Sequence, residues 1–135
     1  MDFYGLKSRS ETRRDWNNRF GPRQPGEDQI VDYVGGAGDM YRNYRDMCDA
    51  NTLVSDKYFH CKANCEATQR GKGGYQAACD VSDAREFVDG LLGQSSADEA
   101  ADRSANSIGR GFANLGLDCP TVCALYRPNG LPPQY

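Results

Sequence analysis

Apolar residues return along the middle of the chain with the 3.6-residue period of a helix and show no strand-like alternation. Ile30, Val34, Ala37, Tyr41, Tyr44 and Cys48 form a first stripe, which predicts a helix running to about Ala50 and secure from Gly38, because Gly35 and Gly36 invite a break. Asn51 or Thr52 can cap a second helix through about Arg70, closed by Gly71, Gly73 and Gly74. Ala77, Val81, Ala84, Val88 and Leu91 form the stripe of a third helix, with Gly93 beyond its end. Ser96, followed three residues later by Glu99, reads as a capping box, and Ala97, Ala101, Ala105 and Ile108 form the stripe of a fourth. From Gly109 the pattern dissolves and the chain ends in a Pro-rich tail. The expectation is an all-α fold, a four-helix core with an irregular, disulfide-pinned C-terminal tail.

Residues 1–26 carry Gly5, Gly21, Pro22, Pro25 and Gly26 without sustained periodicity, and hold six Lys or Arg against three Asp or Glu. They read as a basic flexible linker, leaving 27–135 as the helical domain. That domain is acidic, which argues against nucleic acid as a partner. No apolar run is long enough to span a bilayer. Met1 to Phe20 has no apolar core of the kind a secretory signal peptide carries, so any export is expected to use a dedicated secretion system.

Polar residues also step at helical intervals. Asp39, Arg42, Asp46 and Asp49 share one face of the first helix; Asp56, His60 and Asn64 stack on the second. Asp83, Arg85 and Glu86 lie on the third, and Asp102, Asn106 and Arg110 step along the fourth. Solvated outer faces are the bland account. Against it, Asp exceeds Glu and Arg exceeds Lys, whereas outer helical faces favour Glu and Lys. His60 is the single histidine, and Asp56 one turn earlier would raise its basicity. Arg85, Arg110 and Arg42 suit a phosphate, and Asp46 with Asp49 suit a divalent cation, Ca or Mg. No esterase elbow, zinc-protease motif or P-loop occurs.

Six cysteines stand in the chain: Cys61 and Cys65, Cys119 and Cys123, then Cys48 and Cys79. Disulfides, free thiols and a metal site are the three readings, and disulfides imply an oxidising compartment. Bridges within a pair four residues apart are strained if the segment is helical. The expectation is therefore two bridges joining Cys61 and Cys65 to Cys119 and Cys123, and a third between Cys48 and Cys79.

The runs Asp39-Met-Tyr-Arg-Asn-Tyr-Arg-Asp-Met47, Ser55-Asp-Lys-Tyr-Phe-His60, Arg70-Gly-Lys-Gly-Gly74, Ser82-Asp-Ala-Arg-Glu86 and Arg127-Pro-Asn-Gly-Leu-Pro132 resemble the serum amyloid A family, in unbroken order over residues 38–135. That resemblance implies a four-helix, lipid-associating, acute-phase protein without established catalysis. The basic arm and the cysteine-bearing insert at 112–124 depart from the animal proteins. The run His60-Cys-Lys-Ala-Asn-Cys65 with the Cys119 and Cys123 pair resembles C-terminal toxin domains of bacterial RHS-repeat proteins, often carried by type VI secretion. This second resemblance implies an antibacterial effector; the first also groups the chain, through shared polar helix residues, with enzymes of phospholipid or polyprenyl-lipid head groups, so the expected action is phosphoester cleavage or transfer on such a head group. Asp56, His60, Asn64, Asp83, Arg85 and Asp102 would form its catalytic site. Its partners would be a lipid or membrane surface, a cognate immunity protein and the parent RHS cage, and it would act in the periplasm or at the membrane of a target bacterium. The alternative expectation is a non-enzymatic membrane-active or lipid-binding domain that disrupts the target membrane.

Overall fold

A computed structural model describes residues 27–135; the predicted linker 1–26 lies outside them. Four helices follow one another: α1 (Glu27–Ala50), α2 (Asp56–Thr68), α3 (Lys72–Leu91) and α4 (Ser96–Gly111). A single-turn helix, α5 (Cys119–Val122), and a 3-10 turn (Ala124–Tyr126) begin the tail. The all-α expectation holds, with a four-helix core and a tail tied down by disulfides.

The boundaries differ in instructive ways. α1 runs unbroken through Gly35 and Gly36 because helix packing, not propensity, decides there: Gly36 lies against Gly74 and Ala77 of α3. The α2 start moves to Asp56 behind Ser55, and residues 51–55 form a turn in which Asn51 (φ 43°) and Val54 (φ 61°) are left-handed. Gly73 and Gly74 do not end a helix but open α3. A Cβ on Gly73 would strike the backbone of Gln29 and Tyr33, so the two helices touch backbone to backbone. Ser95, one residue before the expected cap, accepts from the backbone N–H of Asp98 and starts α4.

α1 and α3 run parallel, as the pairs Gln29 with Gly73, Gly36 with Ala77 and Tyr44 with Arg85 show. α2 and α4 are likewise parallel, with Lys57 beside Asp102, Asn64 beside Asn106 and Gln69 beside Ala113. α1 packs on both α2 and α3, and α2 packs on α4.

The inward faces are not the predicted stripes. On α1 the buried positions are Asp32, Gly36, Asp39, Met40 and Asn43, while Ile30, Val34 and Tyr41 are exposed. On α3 they are Gly73, Gly74, Ala77, Ala78, Ser82 and Glu86, leaving Ala84, Val88 and Leu91 outside. On α4 Asp102, Ala105, Asn106 and Gly109 are buried, and Ala97 and Ala101 are exposed. Small and polar residues permit close helix approach, and they satisfy one another across the seam. This outweighs burial of the hydropathy stripe, whose apolar residues are left at the surface.

The apolar core gathers where α2 meets the tail. Tyr58, Phe59, Cys61, Cys65, Ala105, Ala113, Cys119, Cys123 and Leu131 are buried together. Cys61 is bonded to Cys123 and Cys65 to Cys119, which bears out two bridges from helix to tail. The expected Cys48–Cys79 bridge does not form: both are free thiols, Cys48 exposed and Cys79 half-buried. They stand on the partly solvated sides of α1 and α3, away from the buried seam.

Candidate functional site

Three polar assemblies lie between the helices. In the first, Arg70 at the end of α2 clamps Asp39 of α1, Nε donating to Oδ2 at 2.5 Å and Nη2 to Oδ1 at 2.9 Å. Both side chains are almost wholly buried. Arg42 pairs with Glu66 beside them.

The second assembly is centred on Asn64. Its Nδ2 donates to the His60 carbonyl at 2.8 Å and to Asn106 Oδ1 at 2.9 Å. Its Oδ1 accepts from Ser82 Oγ at 3.2 Å and from Arg110 Nη1 at 2.7 Å. Asn106 Nδ2 in turn donates to Glu86 Oε1 at 3.1 Å, and Arg103 Nε reaches Glu86 Oε2 at 3.1 Å. Residues of α2, α3 and α4 are thereby joined in one fully used network. A 320 Å3 cavity opens beside it, lined by Ser82, Asp83, Glu86, Arg103, Asn106, Ser107 and Arg110.

The third assembly surrounds His60. Lys57 Nζ donates to Asp102 Oδ1 at 2.5 Å and to Asp56 Oδ2 at 2.7 Å, and Gln94 Nε2 donates to Asp102 Oδ2 at 2.7 Å. The His60 ring stands edge-on to Tyr44 at 5.6 Å, with the Arg85 guanidinium 4.9 Å from the centre of the same tyrosine ring. Burial dominates the His60 imidazole and holds its pKa below the ordinary value; Asp102 and Asp56 oppose this only in part. Burial also pushes the Tyr44 phenol up to about 12. For Lys57, burial pulls downward, but the bonds to Asp102 and Asp56 outweigh it and leave its pKa raised.

The predicted residues are thus only partly brought together. His60, Asp56, Arg85 and Asp102 share one cavity of 380 Å3, while Asn64 and Arg110 belong to the adjoining network and Asp83 stands exposed at the second cavity. Arg42 is turned to Glu66, and Arg85 hydrogen-bonds Asp89 at 3.3 Å, so the three arginines do not converge. The base-and-orienter pair is also corrected. The carboxylate nearest the ring is Asp102, 3.9 Å from Nε2, not Asp56, and Lys57 and Gln94 already occupy it. Among the described residues no three His, Cys, Asp or Glu groups converge to hold a metal ion, so Asp46 and Asp49 lack the companions that a divalent cation needs. Arg70, Lys57 and Gln94 went unseen in the sequence. Their partners lie on other helices, and only the Asp56-Lys57 neighbourhood carried a local signal.

The serum amyloid A protein family model matches residues 27–135. The chain is 46% identical over 106 residues to a serum amyloid A-2 protein of Oryctolagus cuniculus, covering 78% of this chain and 80% of that protein. It is 44% identical over 107 residues to a serum amyloid A protein of Anas platyrhynchos, covering 78% of each. It is 50% identical over 101 residues to a serum amyloid A protein of Notamacropus eugenii, covering 74% of this chain and 73% of that protein. These matches correct the bacterial expectation. A toxin carried by an RHS cage, neutralised by an immunity protein and acting in a target periplasm is overturned by relatives that are vertebrate serum amyloid A proteins. The phosphoesterase or transferase expectation falls with it, since those relatives are not such enzymes.

Proposed function

The chain belongs to the serum amyloid A family, and on that premise we propose that it is a non-catalytic protein that binds lipid surfaces in an oxidising, extracellular setting. The supporting observation is the outward apolar face of α1. Ile30, Val34 and Tyr41 recur at i, i+4 and i+11, one line along the helix, and Ile30 and Val34 are 69% and 67% exposed. Tyr33 and Tyr75 complete a groove of 600 Å3 between α1 and α3, together with Gly73. An apolar groove open to solvent marks a site of association. No helix among the described residues is long and apolar enough to cross a membrane, so the contact is with the surface of a lipid layer. The two bridges from α2 to the tail support the oxidising setting. The buried polar seam, in this reading, replaces the apolar core that such an outward-facing α1 gives up.

The test is flotation with phosphatidylcholine vesicles. The Ile30→Ser, Val34→Ser double variant is expected to bind at least about tenfold more weakly, given the apolar area removed, with its helical circular dichroism unchanged. Equal binding by the folded double variant would overturn the proposal.

A further inference from the structure

The turn between α1 and α2 runs Asn51-Thr-Leu-Val-Ser55, without the glycine or proline that usually makes a tight turn. Val54 nevertheless sits at φ 61°, a left-handed conformation that a β-branched residue adopts only under strain. Leu53 and Val54 are also 88% and 76% exposed, so the turn neither relaxes its backbone nor buries its apolar side chains. In helical phase the same residues would be well placed. Met40, Met47, Val54, Cys61 and Thr68 recur every seven residues on one stripe, and all but Val54 are buried or packed against the core. Straightening residues 51–55 would join α1 and α2 into one helix with that stripe unbroken.

Nothing covalent keeps α1 at home. Both disulfides tie α2 to the tail, and neither touches α1. α1 lies antiparallel to α2, with Asp39 against Arg70 and Asn43 against Glu66. Two straightened helices laid antiparallel keep those pairs, now between copies, with the two-fold axis between residues 54 and 55. The same axis brings Leu53 and Val54 of the two copies together.

We propose that the chain exchanges α1 with a second copy of itself, forming a domain-swapped dimer in which residues 27–68 are one helix. The contacts of α1 with α2 and α3 are remade across the copies, so only the turn differs: its strain is released and its apolar side chains are covered. The outward face of α1 stays outward, so the exchange stands or falls separately from lipid binding.

The test starts from the full chain, unfolded in urea with its bridges intact and refolded at rising concentration, read by size-exclusion chromatography with light scattering. A dimer that grows with refolding concentration is expected. Val54→Gly relaxes the turn and weakens the straightened helix, so it should raise the dimer dissociation constant by at least about tenfold. Asp39→Arg and Arg70→Asp then separate exchange from face-to-face contact. Each variant alone sets like charges against each other, whereas an exchanged mixed dimer restores an opposite pair in both halves. Refolded together, the two should give a dimer with one copy of each by native mass spectrometry, melting well above either variant alone. No dimer at any concentration, a Val54→Gly dimer as tight as the parent's, or a mixture that melts as its separate components overturns the exchange.

Discussion

The two faces of α2 are held in different ways. Against the tail, the helix offers Tyr58, Phe59, Cys61 and Cys65 to an apolar cluster that two disulfides lock, and the Arg127 guanidinium reaches the Tyr58 hydroxyl at 3.1 Å and the Tyr135 carbonyl at 2.6 Å. Against α1, α3 and α4, the same helix offers Asn64, Lys57 and Arg70 to buried partners through hydrogen bonds and ion pairs. The first region draws stability from area removed from water and from constraint on the unfolded chain, so it tolerates small shifts in side-chain position. The second depends on geometry: each partner removed leaves another polar group stranded in a poor solvent. One helix thus joins a covalently closed, apolar region to a directional, polar one, and the outward apolar face of α1 belongs to the polar region.

Reduction of both bridges probes the first region and should have the largest effect. The loops span 62 and 54 residues, and one such closure stabilises the fold by about 4 kcal/mol on chain-entropy grounds. The second bridge adds less, because Cys61 and Cys65 already lie one turn apart. Melting with and without reductant measures this; a melting temperature unmoved by reduction would show that apolar burial alone holds the tail.

Arg70→Met probes the second region, since it strips the Asp39 carboxylate of both its bonds from Arg70 and leaves only the Arg42 guanidinium, 3.6 Å away. A loss of about 3 kcal/mol in urea unfolding is expected. If the region is directional rather than merely filled, the double variant Arg70→Met, Asp39→Leu should recover most of that loss, and a double variant as unstable as the single one would argue otherwise.

Asn64→Leu removes the acceptor of Ser82 and Arg110 and the partner of Asn106 at once. About 2 kcal/mol of destabilisation is expected from the stranded groups. Because this network lies apart from the apolar groove, vesicle binding by the folded variant should match the parent.

Acidification has a smaller effect with a defined sign. The His60 pKa is lowered by burial, so the unfolded chain takes up a proton more readily than the folded one. Stability is therefore full above the unfolded value of 6.5 and declines as pH falls through it toward the lower folded value. His60→Phe should flatten that part of the pH profile, while reduction of the bridges should lower the whole profile without changing this slope.

The smallest expected effect comes from removing residues 1–26. We propose that 27–135 is the folding unit, supported by the span of the family match; the shortened chain should melt within a degree or two of the parent. A large drop in melting temperature would place the arm among the contacts that hold one of the two regions.

Element number and type were legible because the 3.6-residue period, the glycines near helix ends and the capping signature read at Ser96 and Glu99 are local signals, although the cap itself fell one residue earlier, at Ser95. The two helix-to-tail bridges were legible for a geometric reason: cysteines one helical turn apart point along parallel lines and must look elsewhere for partners. The family was legible from the order of its short motifs. The inward faces were not. Periodicity says that Ile30, Val34 and Tyr41 lie together, yet only packing decides that they look outward and that Asp32, Asp39 and Asn43 look inward. That choice rests on backbone contact at Gly36, Gly73 and Gly74 and on partners such as Arg70, which stands 31 residues from Asp39. The same holds for His60: its place on α2 was readable from spacing, but its neutral character, its distance from Asp102 and its bare Nδ1 follow from burial between helices, a property no single stretch of chain contains.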